Sequence, residues 1–528
     1  MIPAAPPREP GLPYKWKVLI SVIFGIFMVI LDTTVVNVAF QTLRTEFGAG
    51  IQSSQWIISI YVLALGISTP LSGFLADRFG IKRIYLTGLT TFLIGSLLSG
   101  FAPGLWYLVG SRALQGIGGG IAIPLGSAML FAAFPPAEQG LALGVFGIAL
   151  LVAPALGPIL GGLLVDQHLW RWIFFINIPI GILGITLASR FLRERRNPQA
   201  PVLNPVSIAT SVVGFGSVLY AASIAADHGW TSGTVGLWFG IGFAALALFA
   251  LNELFRAKSP LLNLRLFARR NFLRASLVGY VSVLALFGAE FLMPVYLQAL
   301  RGRSALETGL ILLPLAITAG ITTPLAGRLY DKIGPRALLT AGFGVLMINT
   351  WQLSQITADT TIRWILFLLA LRGLALGLTV QTTFVTALGD VPRDGVARGS
   401  SLINSTRFVV QSIGVAVLAT VLAGSLSPQV KNLQRTFLEA PQAAVRRTGL
   451  CEPRVAGAPS PAMLSLIRQA CAEYVGGFER AYRLTFYAAL LALLLGMTLP
   501  GWPAKWHGRG TTGSQGSGDH RDQPAVGA

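Results

Sequence analysis

Apolar residues occur along this chain in long runs, and short polar segments separate one run from the next. A run of about twenty residues with few charges is what an α-helix needs to cross the hydrocarbon of a lipid bilayer. Fourteen such runs are present, and each predicts one membrane-spanning helix. They cover residues 18–41, 54–75, 84–102, 104–130, 139–165, 172–192, 206–226, 235–256, 273–298, 306–328, 337–357, 362–388, 397–425 and 481–501.

The composition narrows the class of protein. Hydrophobic residues make up 53% of the 528 residues and charged residues 12%, which is about half the charge of a soluble domain, and the mean hydropathy is +0.66. The chain has no Walker loop and no nucleophile elbow in a strand-to-helix context. Its four histidines and two cysteines are scattered without metal-ligand spacing. We therefore predict an all-α polytopic membrane protein that is not an enzyme and holds no metal.

Basic residues lie mostly on one side of the predicted membrane. An even number of spans puts both termini on the same side, and with that side in the cytoplasm the inner segments include the dense basic stretch 256–274. The short outer loops then carry only a few bases, which are Arg44, Arg171, Arg301, Arg303 and Arg363. Because this asymmetry follows the positive-inside rule, the net charge of +19 indicates topology and not a nucleic-acid partner. We predict a multi-pass protein of the cytoplasmic membrane with both termini in the cytoplasm.

Two of the inner loops repeat one pattern. "GFLADRFGIKR" (73–83) and "GRLYDKIGPRA" (327–337) carry glycine, leucine, aspartate and basic residues at matching offsets. Internal repeats are typical of transporters whose substrate sites lie between two halves. The matched positions are Gly73/Gly327, Leu75/Leu329, Asp77/Asp331, Arg78/Lys332, Gly80/Gly334 and Lys82/Arg336. They indicate a cytoplasmic gate at which the aspartates accept hydrogen bonds, and a solvated turn is the alternative.

The repeat divides the chain into two halves. Residues 1–196 predict an N-terminal six-helix bundle, and residues 272–502 predict a pseudo-symmetric C-terminal one. Between them, residues 197–271 predict an inserted helix pair and a basic cytoplasmic loop. The polar, Gly/Ser-rich segment 503–528 predicts a disordered cytoplasmic tail.

The longest outer segment, 427–480, holds both cysteines, Cys451 and Cys471. Since an outward-facing loop lies in an oxidising compartment, a disulfide is one interpretation, and two unpaired thiols are the other. In a cell with two membranes, this loop is also a candidate docking site for a periplasmic adaptor protein.

Several segments resemble motifs of the major facilitator superfamily. The loop "GFLADRFGIKR" resembles the signature between its second and third helices. The segment "SRALQGIGGGIAIP" (111–124) resembles its fourth-helix motif, with matches at Arg112, Gln115, Gly116 and Pro124. The segment "GVFGIALLVAPALGPILGG" (144–162) resembles its fifth-helix antiporter motif, with matches at Gly144, Gly157, Pro158, Gly161 and Gly162. It departs from that motif at Ala153, where the family usually has glycine.

Other segments resemble one branch of that family, the fourteen-helix drug:proton antiporters. "LDTTVVNVAF" (31–40) resembles the first-helix motif of the branch, with Gln41 in place of an expected proline, and segments 170–181 and 271–298 are also similar. The resemblance implies alternating-access export of lipophilic or cationic drugs, with the proton as coupling ion, no other cofactor, and membrane lipids and a small molecule as partners. The alternatives are a proton-coupled exporter of an endogenous siderophore, lipid or antibiotic, and a non-transporting membrane sensor or scaffold.

Four of the charged residues inside predicted spans lie deep in the membrane and at equivalent positions of the two halves. Asp32 lies roughly 13 Å from the outer end of the first span at 1.5 Å per residue, and Arg112 on the fourth span lies at nearly the same depth. Glu290 and Arg372 lie on the equivalent spans of the second half. Since a lone charge in hydrocarbon is unfavourable by roughly 3 kcal/mol or more, depth and repeat position predict two acid/base pairs, Asp32 with Arg112 and Glu290 with Arg372.

Either pair suits proton or substrate handling. Burial favours the neutral form of a carboxyl group and a nearby guanidinium favours its ionised form, so a site whose balance changes during the transport cycle takes up and releases a proton. An ionised carboxylate also attracts a cationic drug. The alternatives are a fixed buried ion pair that sets helix register and, for Arg372, helix–helix hydrogen bonding.

Other polar residues in the spans are candidates to line a mostly apolar cavity, which suits amphipathic compounds. The polar candidates are Asn37, Gln115, Gln381, Asn404, Arg407 and Gln411. The aromatic candidates are Trp56, Tyr61 and Tyr296, for which interface or packing roles are the alternative. For Arg407, hydrogen bonding to backbone carbonyls is the alternative. We expect the Gly/Pro-rich fifth span and spans 11 to 13 to line the seam between the halves.

Overall fold

The structure is a computed structural model, and it describes residues 12–196, 202, 204–392, 394–430, 451 and 461–502. In this part of the chain all regular secondary structure is helical, in fifteen α-helices joined by short turns. The helices are α1 Tyr14–Glu46, α2 Ile51–Phe79, α3 Ile81–Gly100, α4 Leu105–Ala133, α5 Gln139–Asp166, α6 Trp172–Phe175, α7 Asn177–Phe191, α8 Pro205–His228, α9 Gly233–Leu251, α10 Arg270–Val295, α11 Ala305–Ile333, α12 Pro335–Leu353, α13 Ile362–Gly389, α14 Val396–Gly424 and α15 Pro461–Gly496.

Helix occupies every one of the predicted apolar runs, and α6 and α7 share the run 172–192. Among the described residues, eleven spans are long and apolar enough to cross a membrane. The runs in α10, α12 and α15 are not among those eleven. The protein is therefore a multi-pass membrane protein, while the exact number of fourteen spans stays a prediction. The predicted disordered tail, 503–528, and most of the outer segment between 431 and 460 lie outside the described residues.

The two repeat loops are tight turns between consecutive helices. Gly80 ends α2 with a φ of 103° and Gly334 ends α11 with a φ of 80°, a backbone region that favours glycine. Each glycine N–H donates to the carbonyl four residues earlier, at Ala76 and Tyr330. The next helix, α3 or α12, begins at once, so the repeated glycines set the sharp reversal of the chain.

Helices with equivalent positions in the repeat pack in equivalent ways. In the first half α4 packs against α2 and α3, and α1 packs against α7. In the second half α13 packs against α11 and α12, and α10 packs against α15. Small residues allow the close approach: a Cβ on Gly118 of α4 would lie only 2.5 Å from the carbonyl oxygen of Gly88 on α3.

Two seams join the halves. We call the end of the bundle with Tyr14 and Gly496 the terminal face, and the end with Glu46 and Gly424 the opposite face. The α5–α11 seam runs the length of both helices, from Gly140 beside Gly327 to Gly162 beside Leu306. Every hydrogen bond that the structure describes between α2 and α14 joins residues 69–77 to residues 398–401, so this second seam lies near the terminal face.

The seam differs from our expectation in one helix. α12, which is span 11, packs on α13 and α15 within its own half, and α11, which is span 10, lies against α5 instead. The expectation was wrong because span 11 covers the outer side of its bundle. The inserted helices α8 and α9 pack on each other, and α8 also lies against both α2 and α14. Towards the opposite face, Tyr220 of α8 stacks on Trp56 of α2 with ring centroids 5.9 Å apart.

Candidate functional site

A closed polar network lies at the centre of the first half, around Asp32 of α1. The Asp32 side chain is fully buried and accepts a hydrogen bond from the Arg112 guanidinium. It also accepts one from Gln115 Nε2 at 3.1 Å and one from Asn177 Nδ2 at 2.9 Å. Both carboxylate oxygens are therefore bound by donors from α4 and α7, and the predicted Asp32–Arg112 contact is present in the structure.

Arg112 has further partners. Its Nε donates to the Ile57 carbonyl at 3.2 Å, and its Nη1 also donates to Gln115 Oε1 at 3.0 Å. The guanidinium lies over the Tyr61 ring, 4.1 Å from the centroid, which is a cation–π contact. Tyr61 therefore belongs to the ion-pair site and packs beneath the arginine.

Our sequence analysis missed Asn177 as a member of this site. Asn177 begins α7 directly after the short helix α6, and its amide also donates to Ser96 Oγ at 3.0 Å. The available signal was a lone amide side chain in the apolar segment "FFINIPIG". A buried amide needs partners, but only the tertiary structure places its nitrogen beside Asp32.

The buried arginine of the second half donates to backbone carbonyls and, at 3.5 Å, to the Asn349 side-chain oxygen. Arg372 of α13 is fully buried, and its Nη2 donates to the carbonyls of Ala285 and Leu286 on α10 at 2.9 and 2.8 Å. These are helix–helix hydrogen bonds of the kind that we gave as the alternative for this residue. Glu290 lies in α10, but its side chain is outside the described residues, so the Glu290–Arg372 pair stays a prediction.

The repeated aspartates both reach across a seam. Asp77 of α2 accepts a hydrogen bond from Arg398 Nε of α14 at 2.6 Å, and both side chains are largely buried. Asp331 of α11 accepts from the backbone N–H groups of Gly140 and Leu141, at 3.1 and 3.3 Å. Each carboxylate thus meets the first turn of a helix in the other half, where the helix dipole favours negative charge.

Other residues of the repeat loops contact neighbouring helices, an adjacent ring or solvent. Lys82 Nζ donates to the Ser189 carbonyl at 2.6 Å, and Arg78 lies over the Phe79 ring, 5.5 Å from its centroid. Lys332 is exposed. Gly73 packs against the α14 backbone, where a Cβ would lie 2.8 Å from the Ala397 carbonyl oxygen.

The antiporter-motif glycines of α5 face two different helices. Gly157 and Gly161 pack on Thr34 and Val35 of α1, within the first half. Gly144 and Gly162 pack across the seam on α11, and Pro158 contacts Gly309 of the same helix. One face of α5 therefore packs on its own half, and the other packs on α11 of the second half.

The remaining cavity candidates do not converge on one point. Gln115 belongs to the Asp32 network, whereas Gln381 lies beside Gly147 of α5 at the seam. Asn404 donates to the Ser400 carbonyl at 2.9 Å. Asn37 is exposed and Gln411 is half-buried.

Arg407 lines a small cleft between α10, α13 and α14. Tyr280, Thr383 and Phe384 line the same cleft. Two of the aromatic candidates lie near the opposite face: Trp56 stacks on α8, and the Tyr296 hydroxyl donates to the Thr357 carbonyl at 2.6 Å. Packing, the alternative that we gave for the aromatics, is therefore what the structure presents at these two positions.

The two cysteines form a disulfide, Cys451–Cys471. It ties residue 451 to the start of α15, and the Cys451 N–H donates to the Leu300 carbonyl at 3.0 Å. On the same face Glu473 accepts the backbone N–H of Ser427 at 2.7 Å. This hydrogen bond holds the pKa of the Glu473 carboxyl below its usual value.

Comparisons with known proteins agree with this architecture. The family model described as Major Facilitator Superfamily matches residues 22–415. The chain is 34% identical to the uncharacterized MFS-type transporter YhcA of Bacillus subtilis, over 78% of each protein. It is 32% identical to the fatty acid resistance protein FarB of Neisseria gonorrhoeae, over 79% of this chain and 82% of FarB. It is also 32% identical to the multidrug resistance protein Stp of Mycobacterium tuberculosis, over 78% of this chain and 76% of Stp.

Solved structures show the same fold. The human organic anion transporter MFSD10 (TETRAN) matches with a TM-score of 0.57 at 14% identity, covering 90% of this chain and 100% of that one. A double-tryptophan mutant of XylE matches with the same TM-score and identity, over 93% of this chain and 97% of that one. At this level of identity the likeness concerns the fold alone.

Proposed function

The chain belongs to the major facilitator superfamily, and on that premise we propose that it exports lipophilic compounds across the cytoplasmic membrane in exchange for protons. It is a membrane transporter and not an enzyme, as its relatives are named transporters. In the proposed cycle the two halves rock against each other, so that a cavity between them opens to one side of the membrane at a time.

One observation carries the proton-coupling proposal. Asp32 is a fully buried carboxylate inside a span, and all of its described donors belong to the first half. Such a residue in a membrane helix is a candidate for function by default, because its burial is costly. A small displacement of α4 or α7 removes a donor and raises the affinity of the carboxylate for a proton. Loading and unloading of Asp32 therefore requires helices of the first half to shift relative to one another while the two halves rock.

We propose that the terminal face is cytoplasmic and that the structure represents the state closed on that side. The support is the positive-inside charge pattern and the two contacts across the seams, Asp77 with Arg398 and Asp331 with the first turn of α5. Opening towards the cytoplasm breaks both contacts at once. The two aspartates are then gate residues and do not touch the substrate.

The proposed substrate class rests on the names of two relatives and on the hydrogen-bond donors that already occupy both oxygens of Asp32. Stp is named a multidrug resistance protein and FarB a fatty acid resistance protein, so amphipathic compounds are the proposed cargo. Because Arg112 and two amides already bind Asp32, we assign Asp32 to the proton. A cationic drug then competes with the proton only when the Arg112 contact is broken.

The test is proton flux in inverted vesicles that hold a pH probe and an imposed proton gradient. Wild type is expected to release protons when ethidium, a lipophilic cation, is added. The variant Asp32→Asn is expected to lose at least nine-tenths of that release, because an amide cannot carry the proton. Asp359→Asn makes the same chemical change on the exposed opposite face and is expected to match wild type. Glu290→Gln, run in parallel, tests the second predicted carboxylate.

Two results would overturn the proposal. Wild-type flux that survives Asp32→Asn would make this carboxylate structural. An absence of any response in wild type to cationic, neutral and anionic lipophilic compounds would reject proton antiport and favour the sensor or scaffold alternative.

Export of an anionic lipid is a second candidate. It is favoured by the cleft between α10, α13 and α14, in which Arg407 is the charged lining residue, with Phe384 and Ile403 among its apolar walls. Tolerance of an expressing host to a long-chain fatty acid, compared with its tolerance to ethidium, separates the two candidates. Arg407→Gln is expected to lower the first tolerance and leave the second unchanged.

A further inference from the structure

The segment between α9 and α10 carries chemistry that the transport proposal does not use. We call residues 252–269 the linker; it begins with a π-helical turn at Asn252–Arg256 and includes a 3-10 turn at Leu264–Ala268. Three of its leucines are buried in the bundle, namely Leu261, Leu262 and Leu266. The linker is therefore packed in a defined conformation on the terminal face.

The exposed charged side chains of the linker and of the start of α10 are all basic. Its exposed cations are Arg256, Lys258, Arg265 and Arg269, followed by Arg270 and Arg274 at the start of α10. The stretch 256–274 contains no acidic residue, and the acid just before it, Glu253, is buried. Arg265 and Arg269 each donate one hydrogen bond to a backbone carbonyl, and a guanidinium has five N–H donors. These side chains are thus positioned and still have donors to offer.

An apolar side chain marks where the bilayer surface meets this region. Phe255 is 79% exposed, the highest value among the exposed large hydrophobic side chains of the described residues. It stands next to Arg256, at the end of an apolar helix that is long enough to span the membrane. An aromatic ring beside basic residues is the pattern of segments that lie at the lipid headgroup level.

The linker is connected to the α2–α14 seam through hydrogen bonds. The Pro260 carbonyl accepts from Arg398 Nη1 at 3.1 Å, while Arg398 Nε holds Asp77. Glu253 Oε2 accepts the Leu262 N–H at 3.2 Å, which fixes the turn that presents Pro260. The linker therefore supplies a second hydrogen-bond acceptor for Arg398, the residue that also holds Asp77 across the α2–α14 seam.

We propose that the linker binds the phosphate headgroups of anionic phospholipids and that this binding keeps the α2–α14 seam closed at the terminal face. Clusters of four to eight bases beside a membrane helix attract anionic headgroups. The linker presents four exposed bases and the start of α10 adds two, with no acidic residue in the stretch 256–274. A headgroup held against these bases keeps the linker seated, so that Pro260 stays on Arg398. Lipid charge then sets how readily the terminal face opens.

The experiment uses the full-length protein in nanodiscs of phosphatidylcholine alone or with 30% phosphatidylglycerol. Spin labels at Phe79→Cys and Pro392→Cys report the distance across the seam, because the two native cysteines are bonded to each other. In wild type the ratio of short to long distances is expected to rise at least threefold with the anionic lipid. The triple variant Arg256→Gln, Lys258→Gln and Arg265→Gln is expected to lose this rise.

Matched controls separate the linker from bulk charge. Arg193→Gln, Arg195→Gln and Arg196→Gln remove the same charge from exposed positions elsewhere on the terminal face and are expected to keep the rise. Glu253→Ala is expected to keep the number of bound anionic lipids seen by native mass spectrometry while losing the distance response. That result shows coupling through the linker and not a general loss of lipid.

Three results overturn the inference: no lipid response in wild type, an equal response in the linker triple variant, or a full response to inorganic phosphate in phosphatidylcholine discs. The last would assign the site to free anions. The measurement needs neither substrate nor proton gradient, so its failure leaves the proposed proton antiport standing, and failure of the flux test leaves this inference standing.

Discussion

The two halves bury an arginine on equivalent helices, and the described partners of the two side chains differ. Arg112 on α4 binds the carboxylate of Asp32, whereas Arg372 on α13 donates to the backbone carbonyls of Ala285 and Leu286. A carboxyl group is an acid that can bind and release a proton, whereas a peptide carbonyl is not. The repeat thus places a buried arginine at the same depth in both halves. Whether the arginine binds a carboxylate decides whether the site can handle a proton.

The sharpest way to break this comparison is to remove each guanidinium in turn. Arg112→Gln leaves a buried carboxylate without its counter-charge and is expected to lower the free energy of unfolding by about 3–5 kcal/mol. Arg372→Gln loses hydrogen bonds to backbone carbonyls and is expected to cost about 1–3 kcal/mol. Unfolding in SDS, followed by circular dichroism, measures both. Asp32→Asn added to Arg112→Gln should recover part of the loss, and equal losses in the two single variants would refute the distinction.

The two repeated aspartates at the seams, Asp77 and Asp331, can be compared in the same way. Asp77 accepts from a charged arginine and Asp331 from two peptide N–H groups. Both contacts are charge-assisted hydrogen bonds, and the first also joins two opposite full charges at largely buried side chains. Asp77→Asn is expected to shift the closed-to-open ratio by about tenfold, or about 1.4 kcal/mol, and Asp331→Asn by about threefold. Spin-label distances across each seam report the ratio. A larger effect at Asp331 would contradict the ranking.

Asn177 tests whether the donors around Asp32 tune its proton exchange. Asn177→Ala removes a hydrogen bond to the ionised carboxylate, which is worth about 1.5 kcal/mol, so the protonated form gains. The pH of half-maximal proton flux is expected to rise by about one unit. The control is Asn349→Ala, because Asn349 donates to the Leu368 carbonyl in the second half at 2.7 Å; it should leave the pH profile unchanged. An unshifted profile in Asn177→Ala would mean that this amide only fills space.

The smallest effect is expected at a carboxylate near the surface of the opposite face. The Ser427 N–H holds the pKa of Glu473 below its ordinary value of 4.5, so the contact stabilises the fold above that value. The stabilisation is lost as the pH falls through the lowered pKa. The protection factor of the Ser427 amide, which is its intrinsic exchange rate divided by its observed rate, should therefore fall in acid in wild type. In Glu473→Gln the protection factor should not depend on pH, and the control Glu479→Gln should behave as wild type.

Much of the fold follows from local patterns in the chain. Apolar runs predict helices because a backbone in hydrocarbon must satisfy its own hydrogen bonds, and a helix is found at each run. Gly80 and Gly334 mark the repeat because the chain turns there through a conformation that favours glycine. Asp32 and Arg112 were paired from depth and repeat position, since charges at one depth in a membrane protein have few other partners.

Contacts between helices were harder to predict from the sequence. The expectation that α12 lines the seam was wrong, because an apolar run looks alike whether it faces lipid or a neighbouring helix. Asn177 was missed because its role depends on where α7 stands relative to α1. The partner of Arg398 in the linker, the Pro260 carbonyl, has no side-chain signature at all.

The chain by itself determined the number and order of apolar runs, the repeat, the side with most bases and the residues with unusual charge. These are properties of single segments in a bilayer, where hydrophobic length and charge act residue by residue. Tertiary structure alone decided that Arg372 binds carbonyls, that Asp331 meets the first turn of α5 and that the linker holds Arg398. These contacts depend on how each helix is rotated and on backbone groups that every residue carries, so no residue type in the sequence predicts them.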